Sequence, residues 1–247
     1  MRAMILAAGL GTRLRPLTDS RPKALVQLNG RTLFEITLKR LRSFGIREVI
    51  VNVHHFADMI ADYLQVNDSF GMCIEISRED LLLDTGGGLK KAAHFFVEAR
   101  ADQPFILHNV DVISSIDLSH MVSFHASNNA LATLAVQNRN SSRYLLFDPQ
   151  SNLCGRRRGG DQPDEIVRPV SATQPLAFCG IHVISPRIFS LMPEDGVFSI
   201  IDPYLRLAGQ GEPILGFRAD PYYWHDLGTI GGLQAAAADL QHGVVQA

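Results

Sequence analysis

The first 130 residues alternate between short apolar runs and stretches with apolar residues three and four apart. RAMILAA (2–8) is a continuous apolar run closed by Gly9, as in a strand buried on both faces. RTLFEITLKRLRSFG sets Leu33, Phe34, Thr37, Leu41 and Phe44 at helical spacing, with Gly45 as a natural stop. EVIVNV reads as a second strand. FADMIADYL repeats the helical pattern through Ile60, Tyr63 and Leu64, and CIEIS is a third strand. LKKAAHFF is a helix after a triple glycine, PFILHNVD a fourth strand and DLSHMVSFHAS a fourth helix. This alternation predicts a Rossmann-like α/β fold, a mostly parallel sheet flanked by helices with right-handed crossovers.

Past residue 130 the rhythm becomes strand-rich. ALATLAV, RYLLFD and NLCGR read as strands, the last two joined by the turn Asp148-Pro149-Gln150-Ser151-Asn152. GRRRGGDQPDE is polar and glycine-rich and reads as a loop, with Arg156, Arg157 and Arg158 as a solvated face. AFCGIHVIS is a strand, PRIFSLM a short helix opened by Pro186, PILGFRAD a late strand and IGGLQAAAADLQ a helix. The expectation is one domain over 1–247, with a nucleotide-type core over 1–130. A smaller β-rich, substrate-shaping lobe and the last helix fill 131–247.

The bulk numbers change this picture little. The chain is 46% hydrophobic and 19% charged, an ordinary globular composition. A net charge of −2 argues against a general nucleic-acid or membrane-surface binder, so an anion site has to be built locally. Cys73, Cys154 and Cys179 are odd in number and far apart, which fits neither a disulfide framework nor a CxxC metal site. Cys73 and Cys179 are expected as buried thiols. No apolar stretch is long enough for a membrane span or a signal peptide, and a reducing cytoplasm is the expected location.

The local anion site is legible directly after the first strand, in GLGTRLRPLTDSRPK. Ligands of open α/β sheets bind beyond the carboxyl ends of the strands, where this loop lies. Gly9 and Gly11 allow a tight turn and close approach of backbone N–H groups to phosphate. Arg13 can grip two phosphate oxygens in a fork, and Lys23 adds a mobile point charge. The loop lacks the Gly-Lys-Ser/Thr of a kinase-type phosphate loop, and Leu14 stands where a GxGxxG fingerprint has its third glycine. Asp111 closes the fourth strand, and Asp226 lies far along in WHDLGT. Asp84, Thr85, Gly86, Gly87 and Gly88 open a helix, where the missing Cβ atoms leave room for a flat ligand.

From Leu6 to Leu33 the chain resembles the signature GxGTRLxPLTxxxPKxLxxxxGxPL of the sugar-1-phosphate nucleotidyltransferases. The form DTGGG is similar to that of N-acetylmuramic-acid-1-phosphate uridylyltransferases and of mannose- or heptose-1-phosphate guanylyltransferase-like proteins. The resemblance implies an enzyme that condenses a nucleoside triphosphate with a sugar 1-phosphate, releasing pyrophosphate. Arg13 would grip the triphosphate and Lys23 the reacting phosphates. Ala8, Gly9, Gly11, Thr12, Asp84, Thr85, Gly86, Gly87 and Asn109 would contact the nucleotide. Asp111 and Asp226 would hold Mg²⁺, a hard ion that takes one or two carboxylates plus substrate oxygens.

The WxDxGT element is intact from Trp224 to Thr229, whereas Val110 replaces the glycine of the usual N-G-D. The later β-rich part would bind the sugar, with Gly180 and His182 lining its pocket. Arg168 would stand in for the family's phosphate-holding lysine, with Arg143 as its rival. Uracil and guanine stay open as the base, as does the oligomeric state. A phosphocholine acceptor, or a regulatory subunit that binds nucleotide sugars without turnover, are the alternatives.

Overall fold

The computed structural model describes residues 1–97, 103–159 and 162–242. The chain forms two compact units, each gathered from separated stretches: Met1–Asp84 with Leu107–Ile116 and Tyr222–Ala247, and Thr85–Ile106 with Asp117–Pro221.

The first unit holds the parallel strands Arg2–Leu6, Glu48–Val53 and Cys73–Arg78, with Ile5 opposite Val51 and Val51 opposite Ile76. Helix Leu33–Ser43 starts where the Thr32 hydroxyl accepts the Glu35 N–H at 3.0 Å. It buries Leu33, Phe34, Leu38 and Leu41. It stops at Gly45, whose φ of 76° lets the Ile46 N–H reach back to the Leu41 carbonyl. Helix Ala57–Val66 turns Ile60 and Leu64 inward. Cys73, expected to be buried, is exposed: its strand is the last of the sheet and opens there. An unanticipated hairpin pairs Gln27–Leu28 with Arg31–Thr32 across Asn29 and Gly30, both at positive φ, as a two-residue turn demands.

The second unit is β-rich. Ala132–Gln137, Tyr144–Phe147, Leu153–Arg157 and Gln174–Ile184 pair antiparallel, and Ile214–Arg218 adds a parallel edge. The expected combination of a parallel Rossmann-like sheet and a β-rich part is borne out. The strand read in NLCGR runs on to Arg157, into the stretch also read as loop, and Glu165–Ile166 pair with it. Gly160 and Asp161 of that stretch lie outside the described residues. The arginine run is ion-paired, with Arg157 and Arg158 still exposed as expected and Arg156 half-buried. Arg156 meets Glu165 and Asp202, Arg157 meets Asp164, and Arg158 meets Glu165. Helix Ile201–Gly209 has no counterpart in the sequence reading; Pro203 sits in its first turn, where the missing N–H costs nothing. The triple glycine opens a helix as read, Asp84–Lys91, while the expected LKKAAHFF helix is divided, its remainder forming Ala93–Val97.

Each unit buries a neutral histidine. Burial, then the Arg40 charge, pushes His108 down to about 4, and burial alone does the same to His125. The unfolded chain takes up these protons near pH 6.5, the folded chain only near 4. Each histidine therefore costs about 2 kcal/mol of stability on going from pH 7.5 to 5. Urea midpoints should fall over that interval. Equal midpoints would show that the unfolded chain gains no protonation advantage.

Candidate active site

The first unit assembles the charged loop with both aspartates. At the end of the first strand the Ala7 N–H donates to Asn52 Oδ1 at 2.8 Å. Asn52 in turn donates to Glu79 at 2.8 Å, and Glu79 accepts the Leu83 N–H at 3.0 Å. This buried amide–carboxylate bridge fixes where the loop leaves the sheet. Gly11 takes φ 66°, and its carbonyl accepts the Thr18 hydroxyl at 2.9 Å. A Cβ there would lie 2.9 Å from the Thr18 methyl, so glycine is required twice over. The loop is then plugged by Leu14, which is buried with Val26, Leu28, Ile36 and Leu227. The residue that spoils a dinucleotide fingerprint is thus a hydrophobic anchor. Arg13, one position earlier, stays exposed.

Lys23 follows Pro22 in a single turn that buries Ala24 and Leu25. Its ammonium lies 2.9 Å from Asp111 Oδ2 and would be 3.6 Å from a Cβ on Gly9, so it lies over the loop. Asp111 follows strand Phe105–Asn109. Val110 is buried, donates its N–H to the Leu6 carbonyl at 3.2 Å and does not take positive φ, so valine is accommodated without strain. Asp226 reaches the same place through a short antiparallel pair. Trp224–Asp226 lies against Val112–Ser114 with Asp226 opposite Val112, and the Leu227 N–H donates to the Asp111 carbonyl at 2.7 Å.

The result is a convergence. A Cβ built on Gly228 would lie 2.7 Å from Asp111 Oδ2, 2.8 Å from Asp226 Oδ1 and 2.8 Å from Arg13 Nη2. Two carboxylates and a guanidinium therefore surround one point, with Arg13 loosely paired to Asp226 at 3.5 Å. The Gly228 N–H donates to Asp226 Oδ1 at 2.8 Å. Gly228 is absent from the sequence-derived candidates, although its place in the Trp224–Thr229 motif was the available signal. His225 turns to Asp239, 3.3 Å away, which also accepts the Tyr223 hydroxyl at 2.9 Å. It ties the Asp226 strand to the last helix.

The second unit carries the other candidates. The Gly86 and Gly87 N–H groups donate to the Phe198 carbonyl at 2.9 and 3.2 Å, and a Cβ on Gly86 would lie 2.4 Å from the Phe198 ring. Close packing on Phe198 thus accounts for Gly86, and both amides already have a protein acceptor. Thr85 Oγ1 accepts the Ile200 N–H at 3.0 Å. His182 is buried, its Nδ1 3.1 Å from the Tyr204 hydroxyl, so it offers nothing to a surface ligand. Gly180, at φ 74°, shapes a bulge between Phe178 and His182. The Arg168 charge acts on the Cys154 thiol, whose pKa burial raises. Arg143 instead borders a cavity of about 440 Å³ with Tyr144, Arg156, Arg158, Phe178 and Ser199.

The sequence profile of the family described as "Nucleotidyl transferase" matches residues 2–243. The chain belongs to the nucleotidyl transferase family. An N-acetylmuramate alpha-1-phosphate uridylyltransferase of Caulobacter vibrioides is 35% identical over 244 residues, covering 96% of this chain and 94% of its own. One from Neisseria meningitidis serogroup B is 32% identical, covering 96% and 97%. A mannose-1-phosphate guanylyltransferase of Mycobacterium tuberculosis is 28% identical, covering 98% of this chain and 65% of its own. A putative glucose-1-phosphate thymidylyltransferase from Bacillus anthracis shares the fold, with a TM-score of 0.80 at 19% identity over 100% of this chain and 97% of its own. The reading as a sugar-1-phosphate nucleotidyltransferase is borne out by this family membership. Among the described residues no helix of this nucleotidyltransferase is long and apolar enough to cross a membrane.

Proposed function

We propose that the protein joins a nucleoside triphosphate to a sugar 1-phosphate by Mg²⁺-assisted in-line attack on the α-phosphorus, with pyrophosphate leaving opposite. The observation that carries this is the meeting of Asp111, Asp226 and Arg13 around Gly228, with Lys23 beside Asp111. The attacking phosphate oxygen is already anionic, so positioning and charge neutralisation are what the site has to supply. Arg13, exposed and loosely paired, swings to the departing pyrophosphate. Lys23 is held over Gly9 and neutralises charge growing on the α-phosphate. Asp111 and Asp226 are the hard oxygen donors a Mg²⁺ ion takes alongside phosphate oxygens and water, and bound there it would offset the phosphate charge. Among the described residues no third His, Cys, Asp or Glu joins them, which suits an ion completed by substrate rather than one caged by protein.

Uridine triphosphate and N-acetylmuramate 1-phosphate are the leading substrates, because the relatives at 35% and 32% identity over nearly the full length carry that name. An enzyme that consumes nucleoside triphosphates works where they are kept, in the cytoplasm. The test is pyrophosphate release with Mg²⁺ across a grid: UTP, GTP, CTP, dTTP and ATP against N-acetylmuramic acid, mannose, glucose and heptose 1-phosphates, with phosphocholine added. One dominant combination is expected, with UTP. A blank grid from protein that still binds nucleotide would overturn catalysis in favour of a regulatory binding role.

A further inference from the structure

In the first unit Leu6, Asn52 and Ser77 stand abreast on three parallel strands, and a chain of side-chain hydrogen bonds crosses the sheet there. It begins at the Ala7 N–H and ends at the Leu83 N–H, two backbone donors whose direction is fixed. Asn52 gives its oxygen to Ala7 and its amine to Glu79. Glu79 accepts from Asn52 at one oxygen and from Leu83 at the other. Both side chains are buried, and among the described residues no lysine, arginine or histidine side chain pairs with the Glu79 carboxylate. Apolar side chains would hold the same strand ends at less cost than a buried charge. What the polar pair adds is direction. Between two fixed donors it is satisfied only by three oxygens and one inward amine, which rigidifies whatever it holds. It holds Ala7, from which the chain runs through Gly9 and Gly11 to Arg13. Those glycines loosen the loop. Leu14 pins its far end in the apolar core, and Asn52 pins its near end.

We infer that Asn52 and Glu79 are positioning residues for the nucleoside triphosphate, fixing through Ala7 where the phosphate loop leaves the sheet and so where Arg13 meets the phosphates. The inference rests on the proposed function and adds to it two buried residues that act through the backbone. The same carboxylate fixes Leu83, the residue ahead of Asp84, whose φ of 59° turns the chain into the next helix. One bridge thus sets the loop and the Leu83–Asp84 segment at a constant spacing. Its direction can be reversed without losing a bond. In the double variant Asn52→Asp/Glu79→Gln, the new carboxylate at position 52 accepts from Ala7 and from the new amide at position 79, whose oxygen accepts from Leu83. Each single change instead leaves one mismatch. Glu79→Gln leaves two amines for three donor-facing positions and sets one of them against another donor, however either amide is turned. Asn52→Asp sets two carboxylate oxygens face to face.

The test is this cycle of three variants, assayed by pyrophosphate release with the substrates the wild type prefers and by thermal melting. Each single variant, folded at the assay temperature, should lose roughly 10- to 100-fold in kcat/KM for the nucleoside triphosphate, the scale for reacting groups displaced by about an ångström. The double variant should return to within about threefold of wild type, a non-additivity that only a shared bond explains. Single variants that melt earlier but keep their rate would make the bridge merely structural. So would single variants that cannot fold beside a double variant that does, and either result rejects the inference. A double variant that fails to fold, or is no faster than the slower single variant, would reject the direction of bonding as the cause. A wild type with no turnover for any pair of substrates counts against the proposed function instead. Calorimetric titration with UTP and Mg²⁺ then judges the bridge by itself: binding should weaken about tenfold in the single variants and recover in the double, and equal affinities throughout would overturn it.

Discussion

Replacing Lys23 with alanine is expected to lower kcat roughly 10²- to 10³-fold, the scale for losing one preorganised charge donor at a reacting group. Lys23 is well placed for that role because its side chain is only 14% exposed and its ammonium is already paired with Asp111 at 2.9 Å. Little reorganisation is needed when phosphate arrives: the ammonium exchanges one oxygen anion for another across a short arc. The substitution also frees Asp111 from a competing cation. The Mg²⁺ concentration for half-maximal rate should therefore stay level or fall while kcat collapses. That split separates a lost catalytic charge from a damaged metal site, which would raise the Mg²⁺ concentration needed. Lys23→Arg should not fully rescue, since a planar guanidinium cannot place its charge where the compact ammonium sits, 2.9 Å from Asp111 Oδ2. Steady-state pyrophosphate release decides the matter. A loss under about threefold with the fold intact would remove Lys23 from the reacting centre.

What was legible in the sequence was what is local. The loop from Gly9 to Lys23 declares its chemistry because glycine, arginine and lysine act there within one turn of chain. Strand–helix alternation gave the parallel core for the same reason: each element carries its own period. The misreadings trace to partners distant in sequence. Helix Ile201–Gly209 went unread, and with it the partners of three residues the sequence had singled out. Tyr204 from that helix buries His182, and Asp202 takes Arg156 out of solvent. Phe198, just ahead of it, packs closely on Gly86. Cys73 failed on another non-local property: whether a strand lies at the edge of a sheet is not written in the strand. The convergence of Asp111 and Asp226 lies between these cases. Each aspartate was visible in its motif. Their meeting depends on three residues, Val112–Ser114, pairing with Trp224–Asp226 across nearly half the chain.

Gly228→Ala tests that convergence most directly, and the expected result is an intact fold with little activity. The added methyl would enter the point where Asp111 Oδ2, Asp226 Oδ1 and Arg13 Nη2 all lie within 2.8 Å. These are ends of side chains, so the strain is relieved by splaying the charged groups apart while the backbone stays put. Gly228 does not take a left-handed φ, so alanine costs nothing in backbone conformation. Displacing reacting groups by about an ångström is enough to lose roughly 10² in rate, and here three groups move together. kcat/KM should fall by about that factor or more, and the Mg²⁺ requirement should rise as the two carboxylates separate.

Gly232→Ala is the informative contrast. Its Cβ would lie 2.0 Å from the Asp226 carbonyl oxygen, a backbone atom that cannot step aside, so the turn into the last helix has to shift. That variant should lose thermal stability first and activity as a consequence. Melting temperature and kcat/KM measured side by side therefore separate the two glycines. Gly228→Ala with full activity would mean that the space among Asp111, Asp226 and Arg13 is not where the phosphates react.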